Sequence, residues 1–412
     1  METIKLANNV FKEIVFKGTP FSLALKNEWK YKNIESKDRS LITAIVGCSL
    51  RHYYLFQNGL KKYCDNPSEE LISLTFIGLS NSMFLKRLDD KSVEKYVQKL
   101  LTQEDFEIYK QITRNTTETN QLLPEDINVN SLEYLSFRYN TPLWLIKMWN
   151  KHYGLNVVYK LLKNNNSPLR TFVKSLSKEE IINENFAKKD ENFYEYVGQT
   201  NLKTNPLYES KKLFGYSIAM NEMNKNVDCD AVRGIAIYQA YPNNILLDVV
   251  SKTSKYIKLD LVSPTFQVLY EAKRNVAKYG FENVAIYEAS ASSMITCVSK
   301  KVHTLYVMPN NSRFALLRST PDYFLRIDQN KLDEYLNEEK TSLYEASNFV
   351  EDGGNLIYCI NTVSQKEGHL MVETFLNEHP EFSLAEEKQK FGFGDGDACL
   401  YYAVLVKGVN RD

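Results

Sequence analysis

A chain of 412 residues, 43% hydrophobic and 25% charged, is long enough for about two to three domains and has the make-up of a globular protein with a sizeable core. Lys+Arg and Asp+Glu balance at 51 each, which excludes a protein held to nucleic acid by net charge, so any RNA contact must be a local patch. The six cysteines, Cys48, Cys64, Cys229, Cys297, Cys359 and Cys399, form no Cys-x-x-Cys pair and have no histidine at metal spacing, which argues against a metal site and for reduced thiols in a cytosol. No apolar run approaches the roughly 18 residues of a membrane span. The opening Met1-Glu-Thr-Ile-Lys-Leu lacks a signal pattern, so the expectation is a cytoplasmic monomer that uses no membrane.

From Leu6 to about Ile127 the chain is almost free of glycine and proline, and its apolar residues recur at helical spacing, which predicts an all-α domain over residues 1–130. One helix is expected from Ser36 to Leu55, with Leu41, Ile45, Cys48 and Tyr53 inward, Asp38 near the positive end of the dipole, and Arg39 and Arg51 at the surface. Further helices are expected at Leu71–Leu79, Val93–Leu101 and Phe106–Arg114. In Tyr139-Asn-Thr-Pro-Leu-Trp-Leu-Ile-Lys-Met-Trp-Asn-Lys-His-Tyr-Gly154, Thr141 reads as N-cap, Pro142 as the first helical residue and Gly154 as the stop. Trp144, Met148 and Trp149 read as packing residues. Ser175–Leu213, charged and asparagine-rich, reads as a small α/β subdomain or arm, so residues 131–210 form a connecting region.

The last segment, 211–412, alternates strands and helices, which predicts a doubly wound α/β domain. Its first strand is expected at Ile245–Val249, followed by Tyr256–Val262, helix Thr265–Tyr279, strands Val284–Glu288 and Thr304–Met308, helix Gln329–Asn348, strand Asn355–Ile360, helix Lys366–His379 and an antiparallel pair ending at Tyr401–Val406. The late pair fits the class I methyltransferase variant of this fold. The turn after a first strand is ordinarily glycine-rich so that backbone can approach a nucleotide closely, but here it reads Ser251-Lys-Thr-Ser-Lys255. The second strand then starts about seven residues after the first, against the dozen or more residues of a parallel crossover. On this reading the cofactor loop and its helix are deleted.

Several blocks carry a resemblance. Asp38, Arg39, Leu41, Gly47 and Arg51 resemble the NusB-like helical RNA-binding domain, and Ile108–Arg114 sits where that domain ends. Thr141–Gly154 is similar to the "His-Pro-x-Trp-Leu" helix that follows it in the small-subunit ribosomal RNA cytosine-5 methyltransferases, the Sun/RsmB (NOP/Sun) family. Arg170 matches that family's "Arg-x-Asn" strand, with Phe172 replacing the Asn in a small N1-type subdomain. Gly234, Ile235 and Gln239 resemble the "Gly-x-Ile-x-x-Gln" that leads into its catalytic domain. Pro321-Asp322, Gly353–Tyr358 and Glu373–Leu376 complete the match.

The resemblance implies a NusB-like domain followed by a Rossmann-like methyltransferase domain. It also implies a cysteine thiolate that attacks cytosine C6, a methyl group from S-adenosylmethionine, and a second cysteine that helps release the product. The family's nucleophile position falls on Asn361 and its second cysteine on Asn310, whose preceding Asp becomes Val307. Cys359 lies two strand positions from Asn361, roughly 6.5 Å away, and reads as a buried small hydrophobe, with catalysis by it the alternative. The family's "Asp-x-x-Ala-Ala-Pro-Gly-Gly-Lys" matches only at Asp248. Asp260 follows the second strand, and the third acidic position is approximately Ala289 or Ser290, so Asp248 and Asp260 are vestiges of a cofactor site.

These readings imply a pseudoenzyme: an RNA- or ribosome-binding homologue, with small-subunit ribosomal RNA as partner through Arg39, Arg51, Lys61, Lys62 and Arg170, and no cofactor. Two alternatives stand beside it. One is an S-adenosylmethionine-dependent RNA cytosine-5 methyltransferase with an atypical site; the other is a protein-interaction scaffold without RNA affinity.

Overall fold

The computed structural model describes residues 2–30, 34–166, 170–177, 179–225, 227, 234–240, 244–298, 300–394 and 396–408. The chain divides into two compact units, residues 1–166 with 317–327, and residues 167–316 with 328–412.

The first unit is helical: α1 (Glu2–Val15), α2 (Phe21–Trp29), α3 (Ser36–Arg51), α4 (Tyr53–Lys61), α5 (Glu69–Leu79), α6 (Asp90–Val97), α7 (Gln103–Asn115), α8 (Leu132–Arg138), α9 (Leu143–Tyr153) and α10 (Leu155–Asn165). Ser68, Asp89, Thr102 and Ser131 cap α5, α6, α7 and α8 through their side-chain oxygens, so these starts were marked in the sequence. Helix α5 is buried from Leu71 through Leu79 apart from Ile72, and around it pack Phe11, Ile45, Phe56 and Tyr109. This compact unit runs on past 130 to 166, and Tyr134 and Phe137 of α8 pack against its core.

The single helix expected over Ser36–Leu55 is two helices, broken at His52 (φ −119°). The break is held by Asn140, which donates to the Leu50 carbonyl at 2.8 Å and accepts from the Tyr54 amide at 3.0 Å, satisfying backbone groups that the break frees. At α9 the N-cap is Pro142 rather than Thr141, whose hydroxyl donates to the Tyr139 carbonyl instead; Gly154 (φ 77°) is the stop, as expected. Helix α2 has no cap of its own. Asp322, from 317–327, supplies it by accepting from the Phe21 amide at 3.0 Å while pairing with Arg326 at 2.8 Å.

The second unit opens with an antiparallel sheet, β1 (Thr171–Ser175), β2 (Phe186–Asp190), β3 (Phe193–Tyr196), a turn of helix α11 (Pro206–Glu209) and β4 (Leu213–Gly215), in the order β2-β3-β1-β4. There follow α12 (Ile218–Lys225), β5 (Ile235–Tyr238), α13 (Ile245–Lys252), β6 (Leu259–Ser263), α14 (Phe266–Tyr279), β7 (Val284–Glu288), β8 (Val302–Val307), α15 (Gln329–Ser347), β9 (Val350–Ile360), α16 (His369–Glu378), β10 (Phe382–Lys390) and β11 (Leu400–Lys407). The larger sheet runs β10-β11-β9-β8-β5-β6-β7, with β5 to β9 parallel and β11 antiparallel to both its neighbours. Counted from β5, that is 3-2-1-4-5-7-6, the strand order of the class I methyltransferase fold. Alternation sends Ile237, Ile357 and Cys359 into one core and Tyr238, Leu356 and Tyr358 into the other. Gly353 (φ 76°) and Gly354 sit at the irregularity of β9 between its pairs Val302–Val350 and Thr304–Asn355, where a Cβ on Gly354 would stand 2.7 Å from the His303 carbonyl.

The reading of the first strand is overturned as well. Ile245–Val249 is not the first strand but most of helix α13, and the first strand is Ile235–Tyr238. The crossover between β5 and β6 is therefore complete, and its helix is not deleted. Positions 245–250 are all buried, so the helix has no polar face to give it away, and its apolar run has the length and branching of a strand.

Candidate functional site

In a sheet of this order a ligand binds outside the carboxyl ends of the strands, where the connections reverse direction between β5 and β8. Four segments meet at this edge: 239–240 after β5, 264–265 after β6, 309–313 after β8 and 361–368 after β9. Gln239, in the left-handed region (φ 60°) and 3% exposed, accepts from Thr265 Oγ1 at 3.2 Å and donates through Nε2 to Glu338 of α15, also at 3.2 Å. Asn310 approaches the same Glu338 carboxylate at 3.5 Å, the outer limit of a hydrogen bond, and accepts from Arg313 at 3.2 Å. Thr265, Gln239, Glu338, Asn310 and Arg313 thus form a chain of side chains across the place of strand reversal.

The next layer is held by a buried carboxyl pair. Glu367 accepts from the Ser312 amide and hydroxyl, each at 2.7 Å, and from the Thr362 hydroxyl, so it ties the loop after β8 to the loop after β9. Glu339 of α15 is buried beside it. Burial first, and then the neighbouring Glu367 carboxyl, pushes Glu339 well above the usual carboxylate range. Glu367 is also raised by burial, against the donors it accepts. The three donors favour charge on Glu367, whereas burial and that neighbouring carboxyl favour the neutral form of Glu339.

The register of β8 on β9 pairs Val307 with Tyr358. Asn310 and Asn361, the positions the resemblance aligns with cysteines, each lie three residues further on, past the last paired residues; near them the Ser312 and Thr362 hydroxyls stand 3.2 Å apart. Asn361 is 8% exposed. Cys359 is 1% exposed with its Sγ 3.8 Å from Met220 Sδ, and burial pushes its thiol far up. It cannot supply a thiolate at the edge. Among the described residues this edge offers amides, hydroxyls and carboxyl groups that can hydrogen-bond, and no sulfur nucleophile.

The residues singled out for cofactor contact lie elsewhere. Asp248 is on α13, fully buried, paired with Lys174 of β1 at 2.7 Å and accepting from Tyr216 and Asn224 at 2.8 Å each; it ties β1, α12 and α13 together. Asp260 is the second of the five residues of β6, paired with Lys258 at 3.1 Å. It stands about 10 Å short of the strand's carboxyl end at Ser263. The segment after β5 reads Gln239-Ala-Tyr-Pro-Asn-Asn244 and contains no glycine; 241–243 lie outside the described residues. The residues present do not fit S-adenosylmethionine in the manner the resemblance implies. A buried Gln side chain bridges the ends of β5 and β6, and Ser263 and not a carboxylate ends β6; β7, in register with it, does end on a carboxylate, Glu288.

Of the basic residues expected to meet RNA, Arg39 and Arg51 do not share a face of their helix. Arg39 and Arg51 are twelve residues apart on α3, hence about 18 Å along and roughly 120° around it. Arg39 is exposed, donates to the Ile34 carbonyl and lies 5.9 Å from the Trp29 ring. Arg51 folds back over Gly47. Lys61 is exposed at the end of α4, while Lys62 is spent on the Gln121 and Leu123 carbonyls. Arg170, in the second unit, makes a two-pronged pair with Glu195, which Lys189 also reaches, and lines a cleft of about 580 Å³. Among the described residues no group of three His, Cys, Asp or Glu side chains could hold a metal ion, and no helix is long and apolar enough to cross a membrane.

Gln239, Glu338 and the Glu339–Glu367 pair were missed as site residues. A signal for Glu339 was present: it interrupts the apolar stripe Leu332, Leu336, Leu343, Ala346 of α15 at the position where that stripe should continue.

Strand order, crevice and terminal hairpin define a class I methyltransferase fold preceded by a helical unit. No family model and no curated protein matches the sequence. Among solved structures, PH0851 aligns over 98% of this chain and 99% of its own with a TM-score of 0.77 at 14% identity. A methyltransferase homolog protein from Pyrococcus horikoshii aligns over 68% and 99% (TM-score 0.57, 10% identity). NSun6 from Pyrococcus horikoshii, solved with SFG, aligns over 65% and 98% (TM-score 0.56, 9% identity). The likeness is one of fold, and with PH0851 it spans both units.

Proposed function

We propose that this protein is an RNA-binding homologue of the RNA cytosine-5 methyltransferases, with small-subunit ribosomal RNA as its partner class, that carries out no methyl transfer and takes no cofactor. The observation that carries this reading is that Asn310 and Asn361 each stand three residues past the Val307–Tyr358 pair of β8 and β9, with the Cys359 sulfur sealed in the core. An amide can hydrogen-bond a base edge but cannot form the covalent adduct on C6. Helix α13 between β5 and β6 withdraws the argument from a deleted helix, so the absence of cofactor binding now rests on Gln239 bridging to Thr265 and Glu338, and on Ser263 at the end of β6. RNA binding is supported by the NusB-like pattern of α3 and the Thr141–Gly154 helix, and by the fold shared with NSun6. The protein acts as a cytoplasmic monomer on this reading.

Calorimetric titration with S-adenosylmethionine tests the cofactor half: no binding is expected, and micromolar affinity would overturn it.

A further inference from the structure

The charge balance of the chain hides a local excess. From Tyr134 through Asn166 the sequence carries Arg138, Lys147, Lys151, Lys160 and Lys163 and no Asp or Glu. Aromatic residues are interleaved with these cations, the composition of a surface that tracks single-stranded nucleic acid. The structure gathers part of this stretch around a cleft of about 460 Å³, walled by Tyr134, Arg138 and Tyr139 on one side and by Leu155, Asn156 and Tyr159 of α10 on the other.

Its geometry suits a flat ring. The Tyr139 and Tyr159 rings meet edge to face at 90° with centroids 6.1 Å apart, forming a corner with a floor and a wall. Tyr159 is 48% exposed, so a large aromatic face is open to solvent on a helix whose opposite side, Val158, Leu161 and Leu162, is buried. Burial, with the neighbouring Tyr159, pushes the Tyr139 phenol up to about 12. Along α10, Lys160 follows Asn156 and Lys163 follows Tyr159 at the i,i+4 spacing that shares a face, so cations continue the edge of the cleft beyond the ring.

We propose that this cleft binds an unpaired nucleobase of single-stranded RNA, stacked on Tyr159, with Arg138 and Lys160 on the adjoining phosphates. The inference rests on the RNA-binding reading above and moves its main contact from α3 to α8–α10. A duplex cannot use such a corner, because its bases are already stacked and their faces hidden. A proline-rich peptide would also use the rings, but it gains nothing from a stretch rich in cations and without a carboxylate, and the charge favours the nucleic acid.

The test uses the full chain and a short fluorescent oligouridine, with affinity read by anisotropy at several salt concentrations. Tyr159→Ala should weaken binding about tenfold, the size of one lost base–ring stack, while Tyr159→Phe, which keeps the ring, should bind like the parent. Arg138→Gln should lower the slope of log affinity against log salt by about 0.7, one phosphate contact. A duplex of the same length should compete poorly. Binding by the parent that is unchanged in Tyr159→Ala and Arg138→Gln refutes this site and leaves the RNA-binding reading standing. No binding by the parent to oligouridine or to small-subunit ribosomal RNA refutes both. A proline-rich peptide bound in a Tyr159-dependent way, with no RNA affinity, assigns the cleft to protein.

Discussion

Replacing Asp248 by Asn separates a structural hub from a cofactor contact. The side chain is fully buried, its partner Lys174 is 9% exposed, and Lys252 lies 3.5 Å away. Burial by itself would raise the Asp248 carboxyl; Lys252 and Lys174 outweigh it and hold the group below its ordinary value. Burial also pulls the Lys174 ammonium down, and Asp248 only partly offsets that. Lys174 is therefore the member that suffers when its partner goes. Removing one member of a buried pair costs about 3–5 kcal/mol, a large share of a folding free energy of about 5–15 kcal/mol. Native-state hydrogen exchange of the β1 and α13 amides reads this in the second unit itself. The double change Asp248→Asn with Lys174→Met removes both charges and should regain most of the loss. The acid dependence has a fixed sign. A depressed carboxylate contributes stability that is present above its unfolded value of about 3.9 and is lost as pH falls through the lower folded value, and Asp248→Asn should abolish that contribution. A cost below about 1 kcal/mol for the single change, or no recovery in the double, would refute the hub.

Asn140→Ala should destabilise the first unit by about 2–3 kcal/mol, since two backbone groups at the His52 break lose their partner; exchange of the Tyr54 amide checks it. Glu339→Gln should make the protein more stable at pH 8 than the parent. The raised Glu339 carboxyl keeps its proton in the fold, so its contribution is full below the unfolded value of about 4.3 and is lost as pH rises towards the folded value. An amide needs no proton, and the advantage of the variant should shrink towards pH 4 in denaturant titrations.

Elements with a clear period and local punctuation were legible from the sequence alone. Helix α14 ends at Gly280 in the left-handed region and β7 runs Val284–Glu288, as their residues indicate. Misreadings arose where burial or distant partners decide. Helix α13 is buried through Val250, so Ile245–Val249 shows no stripe, and the true strand, Ile235–Tyr238, has only four residues to declare itself. The break at His52 depends on Asn140, 90 residues from Leu50, and no local pattern announces it. Motif alignment alone singled out Asn310 and Asn361; the structure adds that each follows the Val307–Tyr358 pair of β8 and β9 by three residues. The charge excess over α8–α10 was visible all along, masked by the neutral total.

The central claim is that a methyltransferase fold here holds RNA without modifying it. Incubating the protein with small-subunit ribosomal RNA and methyl-labelled S-adenosylmethionine, and following complex and label in the same sample, tests both halves at once. The account predicts a salt-sensitive RNA complex with no label in the RNA. Label in the RNA, abolished by Cys359→Ala, would contradict it.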